Sequence, residues 1–125
     1  MKLTAQQIAQ YAANAGFTDN DLIVAVSIAL AESSGDAASE GDWTLNGKLV
    51  PKGTPRAVAT SLGLWQIHYT VHPEFDKTRL FDPQYNANAA FQLFTKRGND
   101  FIDWSTFNNA AYTKYLDAAG EGVNA

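Results

Sequence analysis

A chain of 125 residues with 46% apolar content is expected to form one globular domain around a single core. Nine Lys and Arg against thirteen Asp and Glu leave a net charge of -4, and no basic block exists to neutralise phosphates, which excludes a nucleic-acid binder. There is no cysteine, so disulfides and thiol chemistry are excluded, and no segment is long and apolar enough for a membrane-spanning helix.

Met1 to Gln7 lack the apolar stretch of a signal peptide, so the expectation is a protein released by other means or a domain of a longer chain. Thr4 is the expected N-cap of a first helix, with Gln7 completing a capping box and Leu3 set against Ile8 as a hydrophobic staple. Gly16 ends that helix. The segment Phe17-Thr18-Asp19-Asn20-Asp21-Leu22 repeats the arrangement and opens a second helix, with Gly35 just past its end.

The second helix contains an almost unbroken apolar run, Leu22 to Ala31, which reads as central and buried. Glu32 closes the run. Apolar surroundings and the negative end of a helix dipole both disfavour ionisation of a carboxyl group. A Glu kept protonated at the floor of a cleft is what general-acid cleavage of a glycosidic bond requires. The plain alternative is a partly exposed Glu at a fraying helix end.

Residues 33–61 are polar and rich in Gly and Pro. Within them, Trp43 to Val50 carry Asn46-Gly47 between two short β-prone runs, which predicts a small hairpin because both turn positions need positive φ. His68 and His72 have helix-like spacing, but no Glu follows His68 in the HExxH manner and Pro73 interrupts the segment, so no metal site and no cofactor are expected. Asp82 as N-cap and Pro83 in the first turn start a third helix, with Ala87, Ala90, Phe91 and Phe94 on one face and Gly98 at its end. A last helix is expected from about Ser105 to Ala118. The fold class is α+β, mainly α, as one domain over residues 1–125 with a small β-hairpin lobe.

Three blocks stand in a fixed order: Glu32-Ser33-Ser34-Gly35, then Ser61-Leu62-Gly63-Leu64-Trp65-Gln66-Ile67, then Leu80-Phe81-Asp82-Pro83 with Asn86 to Ala90. Together they resemble the lysozyme-like superfamily, with lytic transglycosylases the nearest group. His72-Pro73, Gly98, Phe101, Trp104 and Tyr112 are similar to the variant in phage lysins and phage tail-associated domains. The resemblance covers about residues 20–118 and implies a lysozyme-like fold with Glu32 as the catalytic acid. It implies a substrate-binding set of Ser33, Ser61, Gly63, Gln66, Tyr69, Asn86 and Trp104. Gly63 would let backbone approach a sugar, Gln66 would offer a donor and an acceptor, and Tyr69, Trp65 and Trp104 would stack on sugar faces. The competing reading of Trp65 and Trp104 is core packing, and Tyr112 and Tyr115 read as helix packing.

The late segment Thr106-Phe107-Asn108-Asn109-Ala110-Ala111 departs from the Ala-Tyr-Asn pattern of many lytic transglycosylases, because Phe107 lacks the hydroxyl that approaches the Glu there. Hydrolysis needs a second carboxylate, whereas a lytic transglycosylase needs one and forms a 1,6-anhydro end from the substrate's own hydroxyl. Asp36, Glu40 and Asp42 are the candidates for a second acid, and their context does not distinguish them. The reading that the resemblance implies is cleavage of peptidoglycan glycan strands between N-acetylmuramic acid and N-acetylglucosamine by a lytic transglycosylase. The alternatives are a hydrolytic muramidase or a non-catalytic phage module. The expected partner is the glycan strand, with no nucleic acid and no membrane insertion. The expected state is a monomer or a domain of a larger phage protein, in a virion or lysin acting on the bacterial wall.

Overall fold

Thr4 does what its sequence context predicts. In a computed structural model that describes residues 2–125, its hydroxyl accepts from the Gln7 N–H and the Gln7 side chain accepts from the Thr4 N–H. Helix α1 (Ala5–Ala15) follows, and Gly16 closes it at φ 129°, with the Gly16 and Phe17 N–H groups both reaching the Ala12 carbonyl. Helix α2 (Asp19–Ser33) is the centre of the molecule, burying Ala25, Val26, Ser27, Ile28 and Ala29 in sequence. Its start corrects the expectation of a second capping box. The Thr18 side chain makes no capping bond, Asp19 enters with φ 53°, and the charges of Asp19 and Asp21 sit at the positive end of the dipole instead.

The expected hairpin is present, with Asn46 at φ 54° and Gly47 at φ 79° between β1 (Glu40–Leu45) and β2 (Lys48–Leu49). It is part of something larger. Strands β3 (Val58–Leu62) and β4 (Ile67–His68) extend it to a four-stranded antiparallel sheet in the order β2-β1-β3-β4. The turn itself stands clear, since a Cβ at Gly47 would meet nothing within 4 Å. Only backbone strain therefore opposes substitution there. Gly47→Val is expected to lower stability by about 1–2 kcal/mol and Gly47→Asn by much less, because Asn tolerates positive φ. Equal losses in urea unfolding of the two variants would mean that the turn does not impose this conformation.

Helix α3 (Pro83–Lys96) starts as expected, the Asp82 carboxylate accepting from the Gln84 and Tyr85 N–H groups. It packs against α1. The continuous last helix is corrected. The chain instead forms α4 (Ser105–Asn108), a 3-10 turn (Ala111–Tyr115) and α5 (Leu116–Val123). Asn109 explains the break: its side-chain oxygen accepts from the Ala111 N–H, and Ala110 is left at φ 64°.

An aromatic file ties the helices to the site. Phe17 meets Phe94 at 5.1 Å, Phe94 meets Phe101 at 4.5 Å, and Phe101 meets Phe107 at 5.6 Å between ring centroids. Phe107 stacks on Tyr112 at 5.1 Å. Such ring pairs add about 0.5–1.5 kcal/mol each beyond their buried area, and here they fix where α4 lies.

Candidate active site

Glu32 lies in the last turn of α2, half-buried, opposite the N-terminal end of α4. The Thr106 hydroxyl donates to Glu32 Oε2 at 2.7 Å, and the Thr106 backbone also bonds the carboxyl group. Burial pushes the Glu32 carboxyl above its ordinary value, and the negative charge of Asp42 pushes it the same way. The Thr106 bonds oppose them, and burial is the largest influence. The sequence anticipated the direction and the apolar surroundings. It did not anticipate Thr106, although the altered late segment drew attention to that stretch. With Phe107 turned into the aromatic file, the hydroxyl on that side comes from the residue before it.

Of the three candidate second acids, Asp42 is the one whose negative charge acts on the Glu32 carboxyl, as the smallest of the influences on it. Asp42 is on β1 with its side chain 54% exposed, so it can meet a ligand. It accepts from the Ser61 hydroxyl at 2.5 Å, and Ser61 Oγ is also 3.1 Å from His68 Nδ1. Asp36 is engaged elsewhere: the Ala38 N–H donates to it at 2.9 Å and holds its carboxyl below the usual range. Glu40 faces a separate, largely apolar groove of about 330 Å³ shared with Trp43, Val58, Tyr69, Lys77 and Phe81. Neither Glu32 nor Asp42 lines that groove.

Several expected sugar contacts are framework residues. Asn86 is wholly buried, its oxygen accepting from the Trp65 N–H at 2.9 Å and its nitrogen donating to the Leu62 and Leu80 carbonyls at 2.9 and 2.8 Å. Every one of its polar atoms is engaged, so it is corrected from substrate contact to clamp. Gly63 belongs to the same clamp. At φ 82°, a Cβ there would collide with the Asn86 side-chain amide and the Leu80 carbonyl, so its missing side chain admits protein and not sugar. Trp104 is corrected too. It is 4% exposed and donates its indole N–H to the Trp65 carbonyl at 2.8 Å, while Trp65 donates its own to the Ala25 carbonyl on α2 at 2.9 Å.

Ser33 is buried, donating to the Ala29 carbonyl at 2.8 Å as part of the helix end. Gln66, at φ 49°, uses its amide nitrogen on the Ser39 and Gly63 carbonyls, each at 3.0 Å. It sits over Gly41, where any Cβ would strike its oxygen. Gln66 thereby fastens the start of β1 to the turn before β4. Tyr69 donates to the Ala59 carbonyl at 3.1 Å and lies on the separate groove. Ser61 is the expected contact residue that bonds Asp42.

The site thus holds a half-buried Glu at the end of a central helix, its carboxyl raised by burial, with an exposed Asp on the small antiparallel sheet. A family model described as a lysozyme-like domain matches residues 9–106, and the chain belongs to that family. No curated protein and no solved structure gives a match to it. Membership carries a general expectation of glycan cleavage, with peptidoglycan as the substrate that the family implies. No helix among the described residues is long and apolar enough to cross a membrane.

Proposed function

We propose that the protein cleaves peptidoglycan glycan strands between N-acetylmuramic acid and N-acetylglucosamine by hydrolysis, with Glu32 as general acid and Asp42 as the second carboxylate. The observation that supports the reading is the Asp42 carboxylate, exposed on β1 and held by the Ser61 hydroxyl, whose charge adds to burial in raising the Glu32 carboxyl. Two carboxyl groups in unlike environments take unlike roles. The half-buried one, raised above its ordinary value by burial, gives its proton to the leaving oxygen, and the exposed, hydrogen-bonded one meets the developing cation or activates water.

The single-acid reading, a lytic transglycosylase, is favoured by a different observation: the order of the Glu32-Ser33, Gly63-Leu64-Trp65-Gln66 and Asp82-Pro83 blocks. The mass of the products separates the two. Hydrolysis leaves fragments carrying an added water, whereas transglycosylation leaves 1,6-anhydro ends. We expect the hydrolytic mass, and a rate for Asp42→Asn about a hundredfold below wild type. Anhydro ends together with an active Asp42→Asn variant would return the protein to the single-acid class. The setting that we propose is a phage lysin or virion component acting on the bacterial wall as a monomer or as part of a larger protein. The resemblance of His72-Pro73, Gly98, Phe101, Trp104 and Tyr112 to the phage-lysin variant supports it.

A further inference from the structure

Asp42 is held in an unusual way. In a regular strand, neighbouring residues point to opposite faces. Ser61 on β3 pairs with Gly41, so a regular β1 would send the next side chain, Asp42, away from Ser61. Asp42 instead has φ 50°, a left-handed conformation that few residues with a Cβ adopt and that Asp tolerates better than most. Two bonds hold it there. The Thr60 hydroxyl donates to the Asp42 carbonyl at 2.6 Å, and the Ser61 hydroxyl donates to its carboxylate. Ser61 is buried, and its partner on the other side is His68 of β4, in direct register across the sheet.

Counting hydrogens assigns the direction of this chain. An ionised carboxylate only accepts, and Ser61 has one hydroxyl hydrogen. The 2.5 Å contact to Asp42 lies in the range of a charge-assisted O–H···O⁻ bond and takes that hydrogen. The 3.1 Å contact between Ser61 Oγ and His68 Nδ1 is then a hydrogen bond only if Nδ1 carries the proton. His68 is 3.7 Å from the Asp42 carboxylate itself, beyond direct hydrogen-bond reach.

We propose that His68 is a positioning residue: its Nδ1–H donates to Ser61, the Ser61 hydroxyl donates to Asp42, and this relay fixes where the Asp42 carboxylate lies. The proposal rests on Asp42 being the second carboxylate. Each link polarises the next, so the bond that reaches Asp42 is stronger than a lone serine would make. The charged groups that face the relay are Asp42 itself and, through Asp42, Glu32.

The test combines a tautomer measurement with a mutant cycle. Nitrogen NMR of the intact protein with labelled histidine should show His68 protonated at Nδ1 when neutral. Ser61→Ala should abolish that preference. On soluble uncross-linked peptidoglycan strands, His68→Ala should lower kcat about tenfold with KM little changed. His68→Asn, whose amide nitrogen takes the place of Nδ1–H, should recover most of the loss, and His68→Gln should not. In an Asp42→Asn background, His68→Ala should have little further effect, because the two act through one group. A neutral His68 protonated at Nε2 would overturn the relay, as would a full additional loss in the Asp42→Asn background. Failure of the hydrolytic reading shows elsewhere, as anhydro products and an active Asp42→Asn variant, whereas failure of the relay shows in the tautomer.

Discussion

Glu32→Gln is expected to reduce wall cleavage at least about a hundredfold without unfolding the protein, the loss normally seen when a general acid is removed. Glutamine keeps the size of the side chain, and its oxygen can still accept from the Thr106 hydroxyl, but it has no acidic proton to give. The same variant reports on stability. Burial raises the folded-state pKa of Glu32 above its unfolded value, so the favourable contribution is fully present below the unfolded pKa and is lost as pH rises through the folded one. The wild type loses this contribution as pH rises through the folded value, whereas the variant does not titrate. The melting temperature of Glu32→Gln should therefore exceed that of wild type at and above neutral pH. The gap should shrink on acidification below the ordinary carboxyl value of 4.5. Calorimetry across pH, beside a turbidity assay on purified walls, checks both. More than a tenth of wild-type activity would remove Glu32 from the acid role, and a gap independent of pH would mean that its carboxyl is not perturbed by burial.

Asn86→Ala is expected to cost about 3–5 kcal/mol. The change leaves the Trp65 N–H and the Leu62 and Leu80 carbonyls without partners in the interior, and opens a cavity beside Gly63. The fall in melting temperature should be roughly 10–20 °C for a domain of this size. Gly63→Ala acts on the same contact from the other side and should also be strongly destabilising. Because the two sites share that contact, the double variant should lose less than the sum of the singles. Additive losses, or a melting temperature for Asn86→Ala within a few degrees of wild type, would show that Asn86 is not the clamp between the β3–β4 turn and α3. The clamp also explains why the second and third sequence blocks occur together: Leu62 to Trp65 and the start of α3 are held by one amide.

The Glu32 carboxyl group owes its environment to elements far apart in sequence. Helix α2 supplies burial, α4 supplies Thr106, and β1 supplies Asp42. The aromatic file from Phe17 to Tyr112 brings α4 to this place, and the Trp104–Trp65–Ala25 chain of hydrogen bonds anchors the segment before it to α2. Replacing a framework residue therefore acts on the site indirectly, through position.

Local signals determined what local physics can determine. The capping box at Thr4, the Asp82-Pro83 helix start, the positive-φ turn at Asn46-Gly47 and the burial of the middle of the apolar run, Ala25 to Ala29, each depend on a few neighbouring residues, and each could be read from the chain. So could Glu32, because an acid that ends an apolar helix carries its desolvation with it. Long-range geometry decided the rest. Sequence could not rank Asp36, Glu40 and Asp42, since a carboxylate's role depends on what faces it across the fold. Nor could it turn Asn86, Gly63 and Trp104 from sugar contacts into framework, because their partners lie 6 to 39 positions away in the chain. The last helix broke at Ala110 where a single Asn side chain outcompeted the backbone ladder. Pattern fixes which face of an element is apolar, but only tertiary packing decides which polar atom another polar atom meets, and the chemistry of this site depends on those meetings.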